Sequence, residues 1–252
     1  MVCKMGILTV LQMEVIGMSS KQAIQERRRK RQRQNNIILW IMGAGVVLVI
    51  GAIVFAIISN NKITVPELTQ VQQEGLSALG NPDAPIVIDE FSDFGCTHCA
   101  DFGLETKKLL EEEFIKTGIV YLRFHSVGGL LGSSATLQAA EAAYCAGEQE
   151  SFWNFHDLVF TNQVKLFSNR TAENSKFYLE FAKILDLDLN QFETCLVERT
   201  YQSRAADDES LARQNGITGT PSFLVNGQLL VGNQPIENFR LVIEEALAAD
   251  SN

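Results

Sequence analysis

The sequence has few residues that bind metals or build disulfide frameworks, with three histidines and five cysteines among 252 residues. It also lacks a glycine repeat and an excess of positive charge, since 21 Lys and Arg face 30 Asp and Glu. Without a repeat, and with 20% charged residues, the chain is neither collagen-like nor disordered. A formal charge of −9 argues against nucleic acid as the partner, because phosphates need a net positive face. The length allows one or two globular domains.

Long apolar runs are absent except for one. Residues 37–58 form 22 consecutive positions without a charge, filled by apolar residues and glycine. A helix of that length spans about 33 Å, enough for the roughly 30 Å hydrocarbon core of a bilayer. A secretory signal peptide is the alternative, but its apolar part is typically about 7 to 15 residues, and no small-residue cleavage site follows Ile58. We therefore predict an uncleaved transmembrane helix over residues 37–59.

A basic block at residues 27–33 precedes this helix. By the positive-inside rule, the block keeps the N-terminus in the cytoplasm and sends the rest of the chain across the membrane. The charge divides accordingly, with +6 on residues 1–36 and −15 on residues 60–252. We predict a cytoplasmic basic segment over 1–36, a single-pass anchor in the cell membrane and an extracytoplasmic domain. Met1 and Met18 are alternative starts of the protein.

The outer region contains a βαβ unit, a helical block and a β-hairpin, in that order. Two short β-branched runs, 86–91 and 119–125, flank a stretch with helical period, so their strands should be parallel. Residues from 133 to about 204 have helical periodicity throughout. Asn226-Gly227 between two apolar runs predicts a hairpin, because both turn positions require positive φ.

These elements predict an α/β fold into which a helical domain is inserted, with a single transmembrane helix before it. The predicted boundaries are 60–80 for a polar, glutamine-rich linker, 81–126 and 206–252 for the α/β domain, and 127–205 for the inserted helical domain. The two α/β parts together contain 93 residues, about one small domain.

The motif Cys96-Thr97-His98-Cys99 stands where the first strand gives way to a helix. On a first helical turn, two cysteines at this spacing lie close enough to bond, and the first faces unsatisfied N–H groups and the positive end of the helix dipole. Both features stabilise its thiolate, and a protonated or hydrogen-bonding His98 would add to this effect. The alternative, half of a zinc site, needs a second ligand pair, whereas the remaining outer cysteines are isolated in sequence. We predict a redox-active dithiol and no metal.

Thr220-Pro221 precedes the hairpin, and a proline is tolerated in a strand only at its first residue or at an edge. Together with the Cys-Thr-His-Cys motif and the helical insertion, it makes residues 81–252 resemble the thioredoxin superfamily and, within it, the DsbA-like disulfide oxidoreductases. The resemblance implies a thioredoxin fold and a cis peptide bond before Pro221, placed against the Cys96–Cys99 pair. It also implies that the Thr220 backbone is free to bind an extended substrate strand.

The resemblance places Glu90 as a buried acid beneath the active site. A carboxylate in a strand buried on both faces is costly, which favours a role in proton transfer to or from Cys99. The alternative is that either Glu90 or the adjacent Asp89 simply faces solvent. The dipeptide Thr97-His98 departs from the family pattern, because it keeps the histidine usual in these oxidases but lacks their proline. The resemblance therefore does not fix the redox potential.

Cys145 and Cys195 both fall in the helical block. Four outer cysteines allow three connectivities. The Cys-Thr-His-Cys pair leaves these two for each other, across a loop of about 50 residues. In the chain-entropy model such a disulfide would contribute at most roughly 4 kcal/mol. We interpret it as structural, with a relay that passes electrons from Cys99 as the alternative.

The predicted function is that of a membrane-anchored thiol:disulfide oxidoreductase which introduces disulfides into unfolded or reduced exported proteins. It uses no cofactor beyond the Cys96–Cys99 disulfide, and a monomer is expected. The family implies a quinone-linked membrane reoxidant of the DsbB or vitamin K epoxide reductase type, within reach of a tethered enzyme. The alternatives are a reductase or isomerase, and a tethered metal-binding or copper-delivery module that uses both cysteines and a histidine. Residues 152–160 predict an aromatic helix whose side chains belong to the core. His125 and His156 are more simply a strand-end residue and a member of this aromatic helix.

Overall fold

A computed structural model describes residues 5–60, 62–168 and 174–250 of the chain. The chain divides into two compact units, residues 1–62 and residues 63–252. The first unit is built from one long helix, and the second combines a β-sheet with the shorter helices.

The first unit consists of α1 (Met5–Asn60). Within it, Ile24–Phe55 is long and apolar enough to cross a membrane, by length and composition. Its apolar side chains are exposed, and 80% of the Trp40 surface is accessible. This candidate membrane span includes most of the predicted transmembrane residues 37–59. The alternative start at Met1 lies outside the described residues.

The second unit is built on a six-stranded sheet. Its strands are β1 (Gln73–Glu74), β2 (Ala78–Leu79), β3 (Ile86–Ser92), β4 (Val120–Ser126), β5 (Ser222–Val225) and β6 (Gln228–Val231). They lie side by side in the order β1-β2-β4-β3-β5-β6. β3 and β4 are parallel, and each of the other neighbouring pairs is antiparallel.

β3 and β4 lie at the centre of the sheet, with apolar residues buried on both faces. In β3, Ile88 is buried on one face and Phe91 on the other, as expected for a parallel strand covered on both sides. The register places Glu90 opposite Phe124 of β4 and Phe223 of β5. The predicted parallel pair of strands is confirmed.

The β5–β6 hairpin turns through Asn226 and Gly227, whose φ angles are 46° and 87°. Two positive φ values in succession are what an Asn-Gly turn predicts. Asn226 also ties the turn to β3, since its Oδ1 accepts a hydrogen bond from Val87 N at 2.8 Å and its Nδ2 donates to Pro85 O at 3.1 Å. The predicted hairpin is confirmed.

Helices connect β3 to β4 and fill the chain between β4 and β5. The first connection is one helical segment made of α2 (Thr97–Asp101), a π-helical turn (Phe102–Thr106), α3 (Lys107–Leu110) and a second π-helical turn (Glu111–Ile115). The remaining helices are α4 (Gly128–Leu131), α5 (Ser134–Gly147), α6 (Phe152–Thr161), α7 (Gln163–Phe167), α8 (Ser175–Ile184), α9 (Leu189–Val197), α10 (Gln202–Gln214) and α11 (Ile236–Asp250).

The predicted polar linker over residues 60–80 is wrong for residues 73–79, which contribute β1 and β2 to the sheet. β2 pairs with β4, so that Ala78 lies opposite Arg123. Ala78 and Leu79 are buried, and this short apolar pair anchors an otherwise polar stretch. Strands of two residues are too short for the alternation that identifies a strand in sequence.

The helical block is more interrupted than the periodicity of residues 133–204 predicts. Glu150, Asp186 and Arg199 have φ angles of 57°, 55° and 53°. Each lies shortly after the end of a helix, namely α5, α8 and α9. Non-glycine residues rarely adopt this conformation, so periodicity alone does not reveal such breaks. The aromatic side chains of α6 are buried and belong to the core that also covers one face of the sheet, as predicted.

Candidate active site

Cys96 stands at the N-terminus of α2, after a tight turn that follows β3. Its φ and ψ are −83° and 125°, the extended conformation typical of an N-cap residue. The Asp93 side chain supports the turn by accepting a hydrogen bond from Gly95 N at 3.1 Å. The Asp93 carbonyl accepts another from Cys96 N at 2.9 Å. The turn therefore places Cys96 at the positive end of the helix dipole.

The Cys96 thiol is free and partly exposed, with its Sγ 3.4 Å from the Thr220 carbonyl oxygen. Hydrogen bonding from the Cys99 thiol is the largest influence on the pKa of Cys96 and lowers it. Burial opposes this effect, whereas hydrogen bonds with Thr220 and with the backbone of Cys99 and His98 reinforce it, and the pKa falls to about 5. A thiol with this pKa is a thiolate at neutral pH.

Cys99 is free and fully buried. Burial raises the pKa of Cys99 well above its ordinary value, and the neighbouring Cys96 raises it further. At neutral pH the pair therefore consists of a thiolate near the surface and a protonated thiol beneath it. This asymmetry makes Cys96 the more reactive sulfur of the pair.

Thr220 and Pro221 lie beside this pair, directly before β5. The peptide bond between them is cis, as the resemblance implied. Pro221 is buried, and its carbonyl accepts a hydrogen bond from Gly232 N at 2.8 Å. The fold thus brings Thr220 against Cys96 although 124 residues separate them in sequence.

Glu90 is fully buried in β3, and neither of its carboxyl oxygens has a hydrogen-bond partner among the described residues. Burial raises the pKa of Glu90 to about 7, against lowering effects of Ser92 and Lys107. A carboxyl group with this pKa exchanges its proton near neutral pH. The adjacent Asp89 instead pairs with Arg123 at 2.7 and 2.8 Å, so Glu90 is the buried acid of the two.

The two residues between the cysteines are exposed. The side chain of His98 is 74% exposed, and its Nδ1 lies 3.5 Å from Asp101 Oδ2. The backbone N–H of His98 lowers the pKa of Cys96, after the larger effects of Cys99 and Thr220. The sequence predicts that backbone N–H groups stabilise the Cys96 thiolate and that the His98 side chain adds to this effect, whereas the structure leaves the imidazole ring at the surface.

Gln163, at the start of α7, is a site residue that sequence reasoning does not find. Its Nε2 donates hydrogen bonds to Phe94 O and Cys96 O, both at 2.8 Å, and its side chain is buried. The adjacent Asn162 holds the backbone of Thr64 by hydrogen bonds of 2.9 and 2.8 Å. Gln163 thus fastens the catalytic turn to the helical block. No pattern marks one glutamine that lies 67 residues from the motif.

A disulfide joins Cys145 of α5 to Cys195 of α9, with a Cα–Cα distance of 5.9 Å. Both residues are buried. The predicted pairing is confirmed, and it connects two helices of the block rather than the catalytic motif.

One group of buried charges lies beneath the helical segment that begins with α2. Lys107 Nζ is 2.7 Å from Glu111 Oε1 and 3.3 Å from Asp157 Oδ2. The other oxygen of Asp157 contacts His156 Nδ1 at 2.7 Å. Lys107 and Asp157 both act electrostatically on Glu90, so the group belongs to the surroundings of the site.

A second group surrounds His125, whose ring nitrogens lie 2.8 Å from Asp89 and 2.8 Å from Asp208. Arg204 Nε donates to Asp208 at 3.0 Å, and the Tyr144 hydroxyl donates to the same carboxylate. The sequence places His125 and the other buried histidine correctly in a strand and an aromatic helix, but it does not reveal their carboxylate partners. These partners come from distant parts of the chain.

A low-pKa thiolate hydrogen-bonded to a high-pKa thiol is suited to exchange electrons through sulfur, and here the pair lies beside a mixed sheet at the start of a helix. The class defined by this combination is the thiol:disulfide oxidoreductase of thioredoxin fold. A family model described as thioredoxin matches residues 72–245. The chain belongs to the thioredoxin family, and it is a DsbA-like oxidoreductase.

The relatives of the chain agree with this class. A probable disulfide bond formation protein D from Bacillus anthracis is 30% identical over 209 residues, which cover 82% of this chain and 94% of the relative. BdbD from Bacillus subtilis, in its oxidised form, shares the fold with a TM-score of 0.62 and 23% identity, over 73% of this chain and 99% of its own. The alpha-DsbA1 of Wolbachia pipientis gives a TM-score of 0.61 and 24% identity, over 71% and 94%.

Proposed function

We propose that this protein is a membrane-tethered oxidase that introduces disulfides into exported proteins at its Cys-Thr-His-Cys site. In this proposal residues 37–59 span the membrane, and residues 1–36 stay in the cytoplasm. The catalytic unit consists of a thioredoxin-like domain (81–126 and 206–252) and an inserted helical domain (127–205), and it lies outside the cytoplasm. The basic block before the apolar stretch supports this orientation.

The observation that carries the proposal is the low pKa of Cys96, about 5, beside a partner thiol whose pKa is raised. A stabilised thiolate favours the reduced state of the pair. Favouring the reduced enzyme makes its disulfide a strong oxidant of other thiols.

The reaction follows from this asymmetry. A substrate thiolate attacks Cys96 Sγ, the Cys96–Cys99 bond breaks, and its electron pair leaves on Cys99 Sγ, which takes up a proton. The second substrate thiolate then attacks the substrate sulfur of the mixed disulfide. The substrate disulfide forms, and Cys96 leaves as a stabilised thiolate. Two electrons have passed from the substrate to the enzyme.

The surrounding residues have supporting roles in this proposal. Glu90 supplies and accepts the proton of Cys99, since it is a buried acid with a pKa of about 7. The Thr220 backbone and Pro221 bind an extended substrate segment beside Cys96 through main-chain hydrogen bonds, which tolerate many sequences.

Thr97 and His98 lie at the surface between the two sulfurs. We assign them to the contact with the bound partner. The Cys145–Cys195 disulfide is structural in this proposal, because both of its sulfurs are buried within packed helices rather than at a helix N-terminus.

The reduced enzyme has to be reoxidised after each cycle. We assign this step to a quinone-linked membrane partner of the DsbB or vitamin K epoxide reductase type, with the oxidase acting as a monomer. A membrane tether supports this assignment, because it raises the effective concentration of two partners held in the same bilayer. No further cofactor takes part.

Two other functions compete with this one. A reductase or isomerase would use the same dithiol in the opposite direction, and the low pKa of Cys96 argues against it. A copper-delivery module would need a third ligand, but the described part of the chain holds no group of three or more His, Cys, Asp or Glu side chains arranged for a metal. The surroundings of the other histidines also favour the oxidase, since His125 and His156 are held by carboxylates.

The reduction potential of the Cys96–Cys99 pair tests the direction of the reaction. The full-length protein in detergent is equilibrated with glutathione buffers, and it is assayed for oxidation of a reduced dithiol peptide. We expect a potential nearer to about −120 mV than to about −270 mV, with stoichiometric peptide oxidation. A potential near the lower value, without peptide oxidation, would contradict the proposal. The variant C99S is the control, since it retains Cys96 but cannot form the disulfide.

The orientation of the anchor has a separate test. Intact cells that produce the full chain are mildly reduced, and a membrane-impermeant thiol reagent is then added. We expect Cys96 to be labelled and Cys3 to be protected until the cells are lysed. Labelling of Cys3 alone in intact cells would show the opposite orientation and contradict the proposal.

A further inference from the structure

Three buried polar atoms near Cys99 have no hydrogen-bond partner among the described residues: both carboxyl oxygens of Glu90 and the hydroxyl oxygen of Ser92. Glu90 and Ser92 are both fully buried. Leaving a buried polar atom without a partner costs stability, so two such residues together on one strand need an explanation. The proposed function uses Glu90, but it gives no role to Ser92.

The alternation of β3 places Ser92 on the same face of the sheet as Glu90. Side chains two positions apart in a strand point to the same side. Ile88 belongs to this series, and it packs in the same core cluster as Cys99. Phe91, which has the opposite parity, packs in a different cluster. Glu90 and Ser92 therefore lie on the face that the helix carrying Cys99 covers.

Cys99 lies at the end of β3 where Ser92 is located. Apart from burial and Cys96, the groups that act on the Cys99 sulfur include the backbone N–H of Asp93 and the hydroxyl of Ser92. The same hydroxyl acts on the Glu90 carboxyl group. Ser92 is thus the side chain that interacts with both the resolving sulfur and the buried acid.

The Ser92 hydroxyl acts on both groups, and no other described residue holds its oxygen in a hydrogen bond of ordinary geometry. A hydroxyl group has one donor and two acceptor positions, and it rotates to suit its neighbours. An uncommitted hydroxyl can therefore donate to the Cys99 sulfur and accept from the Glu90 carboxyl group in the same arrangement. A hydroxyl engaged by the backbone could not do both.

Other charged groups act electrostatically on Glu90. Lys107 acts from the helical segment that starts with α2, Asp157 acts from α6, and His125 of β4 acts from the opposite face of the sheet, where it stacks on Phe91. Lys107 is held by two carboxylates, and His125 by two others. These groups influence the charge of Glu90, whereas the main hydrogen bonds to the Cys99 sulfur come from Cys96, Asp93 and Ser92.

We propose that the Ser92 hydroxyl relays the proton between Cys99 and Glu90. The inference rests on the proposed dithiol chemistry. When Cys99 leaves as a thiolate, Ser92 Oγ gives it a proton and takes one from the Glu90 carboxylic acid, which becomes a carboxylate. When Cys99 must attack a mixed disulfide, the same two transfers run in reverse. No proton has to enter from solvent during either step.

The test isolates the step in which Cys99 gives up its proton. Reduced full-length protein in detergent is mixed with oxidised glutathione and quenched with acid, so that the Cys96–glutathione mixed disulfide and the internal disulfide are counted separately. Formation of the mixed disulfide reports on Cys96. Its conversion to the Cys96–Cys99 disulfide reports on deprotonation of Cys99.

We expect S92A to slow this conversion at least about tenfold, in the lower range of general acid–base effects, and to accumulate the mixed disulfide. The first step is expected to change less than about twofold, because the main hydrogen bonds to the Cys96 sulfur come from Cys99, Thr220 and the backbone of His98. E90Q is expected to slow the conversion by a similar factor. The double variant S92A/E90Q should be no slower than the slower single variant, since both act in one relay.

A matched pair separates the hydroxyl group from its packing. S92T and S92V have the same shape and suit a strand equally, but only S92T keeps a hydroxyl. We expect S92T to convert the mixed disulfide at least about fivefold faster than S92V. Equal rates for this pair, or a wild-type rate for S92A, would overturn the relay. A low reduction potential with the S92A effect intact would overturn the oxidase function and leave the relay standing.

Discussion

The two cysteine pairs of this protein have opposite chemical states within one fold. Cys96 and Cys99 are free thiols with pKa values shifted in opposite directions at the start of a helix. Cys145 and Cys195 are joined in a disulfide between two buried helices. The groups that surround each cysteine therefore decide whether its sulfur is reactive or structural. Backbone N–H groups and a neighbouring thiol act on Cys96, whereas apolar packing surrounds the second pair.

The sharpest division between the pairs is expected in catalysis. C96S removes the sulfur that the substrate thiolate attacks, and we expect peptide oxidation to fall at least about 10³-fold, as for the loss of an essential catalytic group. The double variant C145S/C195S is expected to keep the rate within about threefold. A single-turnover assay with a reduced dithiol peptide measures both. Comparable losses in the two variants would mean that the second pair carries electrons as a relay.

In stability the order of the two pairs should be reversed, with the larger effect at Cys145 and Cys195. C145S/C195S opens a loop of 50 residues, and we expect the free energy of unfolding to fall by up to about 4 kcal/mol. C96S, in the reduced protein at pH 5, is expected to change it by less than about 1 kcal/mol. Urea denaturation of the full-length protein followed by tryptophan fluorescence compares the two. An undiminished stability without the second disulfide would contradict its structural role.

Gln163 tests whether the reactive pair depends on the helical block that contains the structural pair. Q163L removes both hydrogen bonds to the catalytic turn, and we expect the rate of Cys96 attack on oxidised glutathione to fall about tenfold. N162L is the matched control, because Asn162 holds Thr64 instead. An equal loss of rate in both variants would show a general effect on packing rather than positioning of Cys96.

The smallest effect concerns the His98 ring. Its side chain is 74% exposed, and H98A keeps the backbone N–H that acts on Cys96. We expect the thiolate titration of Cys96 in H98A to shift by less than about 0.5 pH units. A shift of more than about one pH unit would show that the imidazole, and not the helix backbone, lowers the pKa of Cys96.

The sequence is enough to predict the parts of this comparison that depend on local pattern. The Cys-Thr-His-Cys motif at a strand-to-helix junction, the Asn226-Gly227 hairpin and the parallel strands around the first helix all follow from short-range rules. The pairing of Cys145 with Cys195 follows once the motif is assigned. Each of these signals lies within a few residues, or depends on a count of cysteines.

The remaining parts depend on contacts between distant residues. β1 and β2 are too short to show alternation, and the hydrogen bonds of Gln163 join the catalytic turn to a helix 67 residues away. The carboxylates around Lys107 and His125 come from different elements. Ser92 looks like an ordinary strand residue until its burial and its neighbours are known. Such features need three-dimensional packing.

The low pKa of Cys96 also sets how stability depends on pH. In the folded protein this pKa is about 5, below the ordinary thiol value of 9.0, so the thiolate stabilises the reduced fold. That contribution is present in full above about pH 9 and is lost as the pH falls through about 5. The stability of the reduced protein relative to the oxidised protein is therefore expected to decrease over this range on acidification.

Titration of Cys96 in the reduced full-length protein tests directly whether this sulfur is a stabilised thiolate. Thiolate absorbance and the rate of alkylation are followed from pH 3 to 10, with C96S as the blank, so that the signal belongs to one sulfur. We expect a single midpoint at about pH 5. A midpoint near the ordinary thiol value of 9.0 would contradict it, since the pair would then have no stabilised thiolate to make its disulfide an oxidant.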